Sequence, residues 1–169
     1  YYKIGMDGKN MVELTPGEGN HSAVFSYDYR YLVDTYSKVD QAPVTVLRDA
    51  DTGKLLKTLE SADISRLQQH GWVAPEVFVA KGRDGKTDMW GIIQRPTNFD
   101  PTKKYPVIEY IYAGPGDAYT PKSFLPYNWN MTSLAELGFI VVQLDGMGTA
   151  WRGKKFEEVC YKNLKDAGF

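Results

Sequence analysis

The chain has 169 residues, 43% of them hydrophobic and 24% charged, with a formal net charge of −1. That balance suits a globular protein and excludes a disordered one. Both signs of charge are mixed along the chain without a long basic or acidic run, which argues against nucleic acid or a membrane surface as a partner held by bulk charge. No apolar run reaches the ~18 residues that span a bilayer, and the N-terminal stretch YYKIGMDGKN lacks the pattern of a signal peptide. The single cysteine, Cys160, excludes an internal disulfide and a multi-cysteine metal site. It is expected as a half-buried, small apolar residue on a helix.

The 12 tyrosines, 7 phenylalanines and 4 tryptophans suit pleated surfaces. Residues 1–60 read as short strands joined by tight turns: 1–5 and 11–14 around Asp7-Gly8, 21–25 and 31–36 around Asp28, and 44–49 and 55–59 around Asp51-Thr52-Gly53. Residues 15–19 are a loop. Strands this short at this spacing point to a sandwich, barrel or propeller. No internal repeat is visible, and one or two propeller blades would not display one.

The character changes at Ser61, where the domain boundary is expected. Residues 61–69 are predicted as a short helix, capped by Ser61 or Asp63 and closed by Gly71. A hairpin follows, with strands 76–81 and 88–94 around Arg83-Asp84-Gly85-Lys86, and then a proline-containing loop, 96–104. From there α and β alternate. Residues 105–112 (YPVIEYIY) form an apolar strand of the kind buried in a parallel sheet. A long loop, 113–129, carries Gly114, Pro115, Gly116, Pro121 and Pro126. A helix at 131–137 is stopped by Gly138, a second buried strand takes 139–144 (FIVVQL), and a Gly-rich loop spans 145–153. Residues 156–165 are predicted helical, with Phe156, Val159, Cys160 and Leu164 on one face. This is half of a doubly wound sheet, whose ligands sit at the carboxyl ends of the strands, where both Gly-rich loops lie. The expected fold class is therefore α/β with a β-rich N-terminal part. A sheet that ends after two parallel strands has an open edge. The chain is therefore expected to be cut from a longer one, or to pair with a partner chain or as a dimer through that edge.

The residues offer few catalytic groups. No Gly-x-Ser-x-Gly occurs. His21 and His70 precede the alternating part, whereas α/β-hydrolases order their triad as serine, acid, histidine. Both are expected to be structural or exposed, and neither has a metal-ligand neighbour at helical spacing. Gly114-Pro115-Gly116 and Gly146-Met147-Gly148 share two glycines with dinucleotide loops, but Tyr119 and Trp151 hold the third place. Asp49 and Asp51 near Gly53 lack the glutamate that closes a calcium loop, so a hairpin turn is expected. Asn20-His21-Ser22 and Asn130-Met131-Thr132 match the glycosylation acceptor pattern. Tyr112, from the residues alone, is a strand-end tyrosine whose hydroxyl finds a buried partner.

Four phrases, taken together and in order, resemble the prolyl oligopeptidase family, most closely its dipeptidyl peptidase IV branch. Residues 21–37 (HSAVFSYDYRYLVDTYS) look like the last blade of the β-propeller that precedes the hydrolase domain there. Residues 83–106 look like that domain's first hairpin and its connector. Residues 103–119 (KKYPVIEYIYAGPGDAY) carry a Tyr-Ala-Gly-Pro turn at Tyr112-Ala113-Gly114-Pro115. Asp145-Gly146-Met147-Gly148-Thr149 is similar to an Asp-Gly-Arg-Gly loop, with Met147 in place of the usual arginine and its salt bridge.

The resemblance implies terminal propeller structure at 1–60, a connecting helix or linker at 61–74, and the N-terminal part of an α/β-hydrolase domain at 75–169, truncated before the nucleophile elbow. It implies a serine exopeptidase that releases dipeptides from peptide substrates, with a post-proline preference, no metal or organic cofactor, and a periplasmic, secreted or cell-surface location. In such enzymes serine attacks the amide carbonyl, histidine is the base and aspartate orients it. By position Tyr112 is the oxyanion-hole donor. A neutral phenol donates a hydrogen bond without adding charge. The carboxylates that bind the substrate amine lie earlier in the propeller. Without serine, acid and base, the chain alone is expected to be inactive. The alternatives are a related acyl hydrolase, such as an acylaminoacyl peptidase or esterase, and a non-catalytic binding module that uses the aromatic loop 119–129.

Overall fold

The computed structural model describes residues 1–166, which divide into two units: Tyr1–His70 with Lys122–Leu125, and Gly71–Pro121 with the described residues from Pro126 onward. In the first unit, β1 (Tyr2–Lys3) pairs antiparallel with β2 (Val12–Glu13). The turn between them closes with Gly8 N–H donating to the Gly5 carbonyl, so the predicted hairpin forms with shorter strands. β3 (Asn20–Phe25), β4 (Tyr31–Lys38), β5 (Gln41–Asp49) and β6 (Leu55–Ser61) make an antiparallel sheet in sequence order. Aspartates lock its turns. Asp49 Oδ1 accepts from the backbone N–H of Asp51 (3.0 Å) and of Thr52 (2.8 Å), the hairpin turn expected there. Alternation along β4 buries Leu32 and Asp34 on one face. Leu32 packs with Leu14 and Ala50, and Val12, Ala23 and Phe25 close over them. β6 is exposed at every position.

β6 continues through Ser61, so α1 (Ser65–Gln69) starts at Ser65 rather than Ser61. Neither expected residue is the cap: Ile64 holds that position without a side-chain cap bond, and Asp63, one residue earlier, accepts the Ser65 backbone N–H at 2.8 Å and the Ser65 hydroxyl at 3.1 Å.

In the second unit, β7 (Glu76–Lys81) and β8 (Asp88–Gln94) form the predicted hairpin with the expected bounds. Its turn is tied by the Asp84 carboxylate, which accepts the Thr87 hydroxyl and the backbone N–H groups of Thr87 (2.8 Å) and Lys86 (2.9 Å). These bonds to its charged form hold the Asp84 carboxyl down at about 2. β9 (Val107–Glu109), α2 (Trp129–Glu136), β10 (Ile140–Leu144) and α3 (Lys154–Glu157) complete the unit. The sheet order is β7-β8-β10-β9, with β10 antiparallel to β8 and parallel to β9. Met89, Ile92, Met131, Ala135 and Val141 form its buried core, with α2 lying against β10 and β8.

Two expectations need correction. The strand predicted at 105–112 is only β9. Its ladder with β10 runs from Val107 to Glu109 and ends on the Tyr110 N–H, which donates to Val142 O at 2.8 Å. Val107, Ile111 and Tyr112 are exposed, because among the described residues β9 is an edge strand and not a buried one. The helix predicted at 156–165 is α3 followed by 3-10 turns at Glu158–Cys160 and Leu164–Asp166. Val159, Cys160, Tyr161 and Asn163 are middling helix formers, and Lys162 adopts φ +57°. Cys160 is fully buried rather than half-buried.

α2 ends as expected at Gly138, in a Schellman motif. Gly138 N–H donates to Ala135 O (2.8 Å) and Phe139 N–H to Leu134 O (3.3 Å), with Gly138 at φ +97°. The described residues are mostly β-sheet with few, short helices, and the expected strand–helix–strand–helix order is present as β9–α2–β10–α3, with β9 and α3 shorter than expected. The last positions of the expected hydrolase part, 167–169, lie outside the described residues.

Candidate active site

Because β9 and β10 run parallel, their carboxyl ends lie on the same side of the sheet, and the two Gly-rich loops that leave them meet. Asp145, directly after β10, is only 4% exposed. Its Oδ1 accepts the backbone N–H of Tyr119 at 2.7 Å and of Thr120 at 3.0 Å. Gln143, also buried and two residues back, donates from Nε2 to the Tyr119 carbonyl at 3.1 Å. Ala150 N–H donates to the Asp117 carbonyl at 3.1 Å. Tyr119 is thus held at its N–H and its C=O by side chains of one strand end. Its ring lies against that of Tyr112, with centroids 4.0 Å apart and planes at 38°. Partial burial pushes the Tyr119 phenol up from its ordinary value, helped by Tyr112, Asp117 and Asp145 nearby. Tyr112 itself is 58% exposed. Two residues earlier, the Tyr110 hydroxyl accepts from Asn130 Nδ2 at 2.9 Å, tying α2 to the end of β9.

The 145–153 loop is braced within itself. The buried Thr149 hydroxyl donates to Gly146 O (2.8 Å), and Gly148 N–H donates to Phe156 O (2.7 Å). Trp151 takes the left-handed conformation at φ +71°, uncommon for so bulky a residue. The Arg152 guanidinium donates to the Asp88 carbonyl (2.9 Å) and lies 4.6 Å from the Phe156 ring centroid. Met147 lines a cleft of about 420 Å³ together with the apolar Met89, Leu144 and Val159 and the charged Lys81, Arg83 and Asp84.

The prolyl oligopeptidase family matches residues 125–169. Prolyl endopeptidase FAP of Mus musculus is 30% identical over 147 residues, which is 85% of this chain and 19% of that protein. A probable dipeptidyl-aminopeptidase B of Aspergillus fumigatus is 30% identical over 168 residues, covering 96% of this chain and 18% of its own length. A putative dipeptidyl aminopeptidase IV from Bacteroides ovatus superposes with a TM-score of 0.79 at 30% identity, over 95% of this chain and 23% of that one. Porphyromonas gingivalis dipeptidyl peptidase 4 gives 0.73 at 28% identity, over 95% and 22%. Residues 125–169 belong to the prolyl oligopeptidase family. The chain resembles the two solved dipeptidyl peptidases over nearly all of its length, and it spans about a fifth of the length of all four relatives.

The Tyr112-Ala113-Gly114-Pro115 turn follows β9 and leads into the first of the two Gly-rich loops. Both histidines lie in the first unit. His21 is structural: its Nδ1 is 2.9 Å from Asp34 Oδ1 and its ring stacks on Tyr36. His70 is exposed at the C-cap of α1. Of the two glycosylation-pattern asparagines, Asn20 donates to Ser123 Oγ (2.5 Å), and Asn130 is the partner of Tyr110. Among the described residues no group of three or more His, Cys, Asp or Glu side chains is placed to hold a metal ion, and no helix is long and apolar enough to cross a membrane.

Reading the sequence singled out Tyr112 but gave Tyr119, Gln143 and Asp145 no role. A usable signal was present. Gln143 and Asp145 share the buried phase of FIVVQLD with Val141, and a buried polar group has to find partners.

Proposed function

We propose that the longer protein containing this chain is a serine peptidase that releases dipeptides from peptide substrates, with a post-proline preference, and that Tyr112 donates a hydrogen bond to the oxyanion of the tetrahedral intermediate. On this reading residues 1–60 are terminal propeller structure, 61–74 a connector and 75–169 the start of the hydrolase domain, with the nucleophile elbow, acid and base further along the chain. The observation that carries it is an exposed tyrosine at the carboxyl end of a parallel strand, braced by the ring of a residue whose backbone is fixed. A catalytic donor of this kind has to be preorganised and able to reach a reacting carbonyl. The names of the relatives support the reaction class.

The test is Tyr112→Phe in the full-length protein, with a chromogenic dipeptidyl substrate. kcat is expected to fall about 100- to 1000-fold with little change in KM, the signature of a bond made mainly in the transition state. An unchanged kcat would remove Tyr112 from the mechanism. Faster turnover of an N-acyl aminoacyl substrate would favour the acyl hydrolase reading. The 169-residue chain by itself, lacking any Gly-x-Ser-x-Gly, is expected to hydrolyse neither. In the longer protein the edge strands β7 and β9 pair with further strands. Pairing with a second copy instead would give a dimer mass in light scattering at micromolar concentration.

A further inference from the structure

The ladder that holds β9 ends on the Tyr110 N–H, two residues short of Tyr112. Backbone pairing with β10 therefore does not orient the phenol. An exposed side chain left to itself changes rotamer on the picosecond to nanosecond scale, whereas an oxyanion donor works only if it is already aimed. The contact that aims it is the Tyr119 ring, and what fixes Tyr119 is the end of β10.

We infer that Asp145 is a positioning residue for the oxyanion donor: its carboxylate clamps the backbone at Tyr119 and Thr120, and the Tyr119 ring so fixed sets the orientation of the Tyr112 phenol. This rests on the role proposed for Tyr112.

The chemistry of the clamp fits its task. An ionised carboxylate is acceptor-only, which matches two converging N–H donors, and bonds to a charged acceptor are the stronger kind. Gln143 supplies the opposite polarity, a donor for the Tyr119 carbonyl. Both side chains stand at the end of a strand that is paired on both sides, by β8 and by β9, so the clamp is mounted on rigid structure. Asp145 is buried and acts at one remove, through Tyr119.

The test is a double-mutant cycle in the full-length protein with a chromogenic dipeptidyl substrate. Asp145→Ala is expected to lower kcat about 10- to 100-fold with KM within about twofold, the cost of a misplaced catalytic group. Asp145→Asn, which keeps an acceptor oxygen, recovers most of that loss. In a Tyr112→Phe background, Asp145→Ala costs less than about threefold more, because the two residues act as one unit. Equal losses in both backgrounds, or an unchanged kcat in Asp145→Ala, overturn the inference and leave the role of Tyr112 standing. If circular dichroism finds Asp145→Ala unfolded, Tyr119→Ala against Tyr119→Phe runs the same cycle without touching the buried carboxylate. A loss with alanine, its absence with phenylalanine, and its disappearance in Tyr112→Phe support the clamp; full kcat in Tyr119→Ala refutes it. An inactive full-length protein, or full activity in Tyr112→Phe, overturns the peptidase reading and this inference with it.

Discussion

Asp34 has both carboxylate oxygens committed and no exposed surface: Oδ1 lies 2.9 Å from His21 Nδ1, and Oδ2 accepts from Arg48 Nε at 2.8 Å. Arg48 also donates to the Gly53 carbonyl at 3.2 Å, tying the β5–β6 turn to the same carboxylate. A charge taken from water is tolerated only when paired and hydrogen-bonded in this way. Asp34→Ala is expected to cost about 3–5 kcal/mol, because it strands a buried guanidinium. The loss should appear as faster amide hydrogen exchange across β4 and β5, with partial recovery in Asp34→Ala combined with Arg48→Met. Unchanged exchange in Asp34→Ala would mean that the pair contributes no local stability. The sequence displays Asp34 in phase with Leu32 on an alternating strand, but nothing near it names Arg48, which β4–β5 pairing supplies.

At the scale of elements, what was legible was what local chemistry decides. The β7–β8 hairpin is announced by Asp84 and Gly85, and the end of α2 by Gly138. The length of β9 was not legible, because pairing decides it: the ladder with β10 stops at Glu109, although β10 continues through Gln143 and Leu144 against β8. The helix expected at 156–165 had the right spacing of apolar residues, yet its middle residues favour turns as readily as helix. The clamp at Asp145 joins residues 26 apart in the chain, beyond the reach of any periodicity. β8 offers a test of packing at this scale. A Cβ on Gly91 would stand 2.5 Å from Phe78 Cε1 and 2.6 Å from Gln143 O. Gly91→Ala is expected to destabilise by about 1–3 kcal/mol through overpacking, read as a lower urea midpoint. An unshifted midpoint would mean that the β7–β8–β10 layer yields.

Across the whole molecule, Asp28, Asp49, Asp63, Asp84 and Asp100 are each pulled below their ordinary value near 3.8, by bonds from hydroxyls and N–H groups in their own turns. A carboxyl depressed by folding adds stability that is complete above its unfolded pKa and lost as pH falls through the folded one. Resistance to urea should therefore decline from about pH 4 towards about pH 2, the window set by Asp84. The side-chain carbon of Asp84, followed by NMR, should titrate near 2; a midpoint near 3.8 would contradict the turn bonds.

The strand order also sets a timetable. β10 lies between β8 and β9, yet it comes last of the three in the chain. During synthesis at about 5–20 residues per second, β9 leaves the ribosome a few seconds before β10. For those seconds a finished β7–β8 hairpin and an unpaired apolar strand coexist, with the seat between them empty. Direct pairing of β8 with β9 would be a non-native sheet, and the final order excludes it by placing β10 between them.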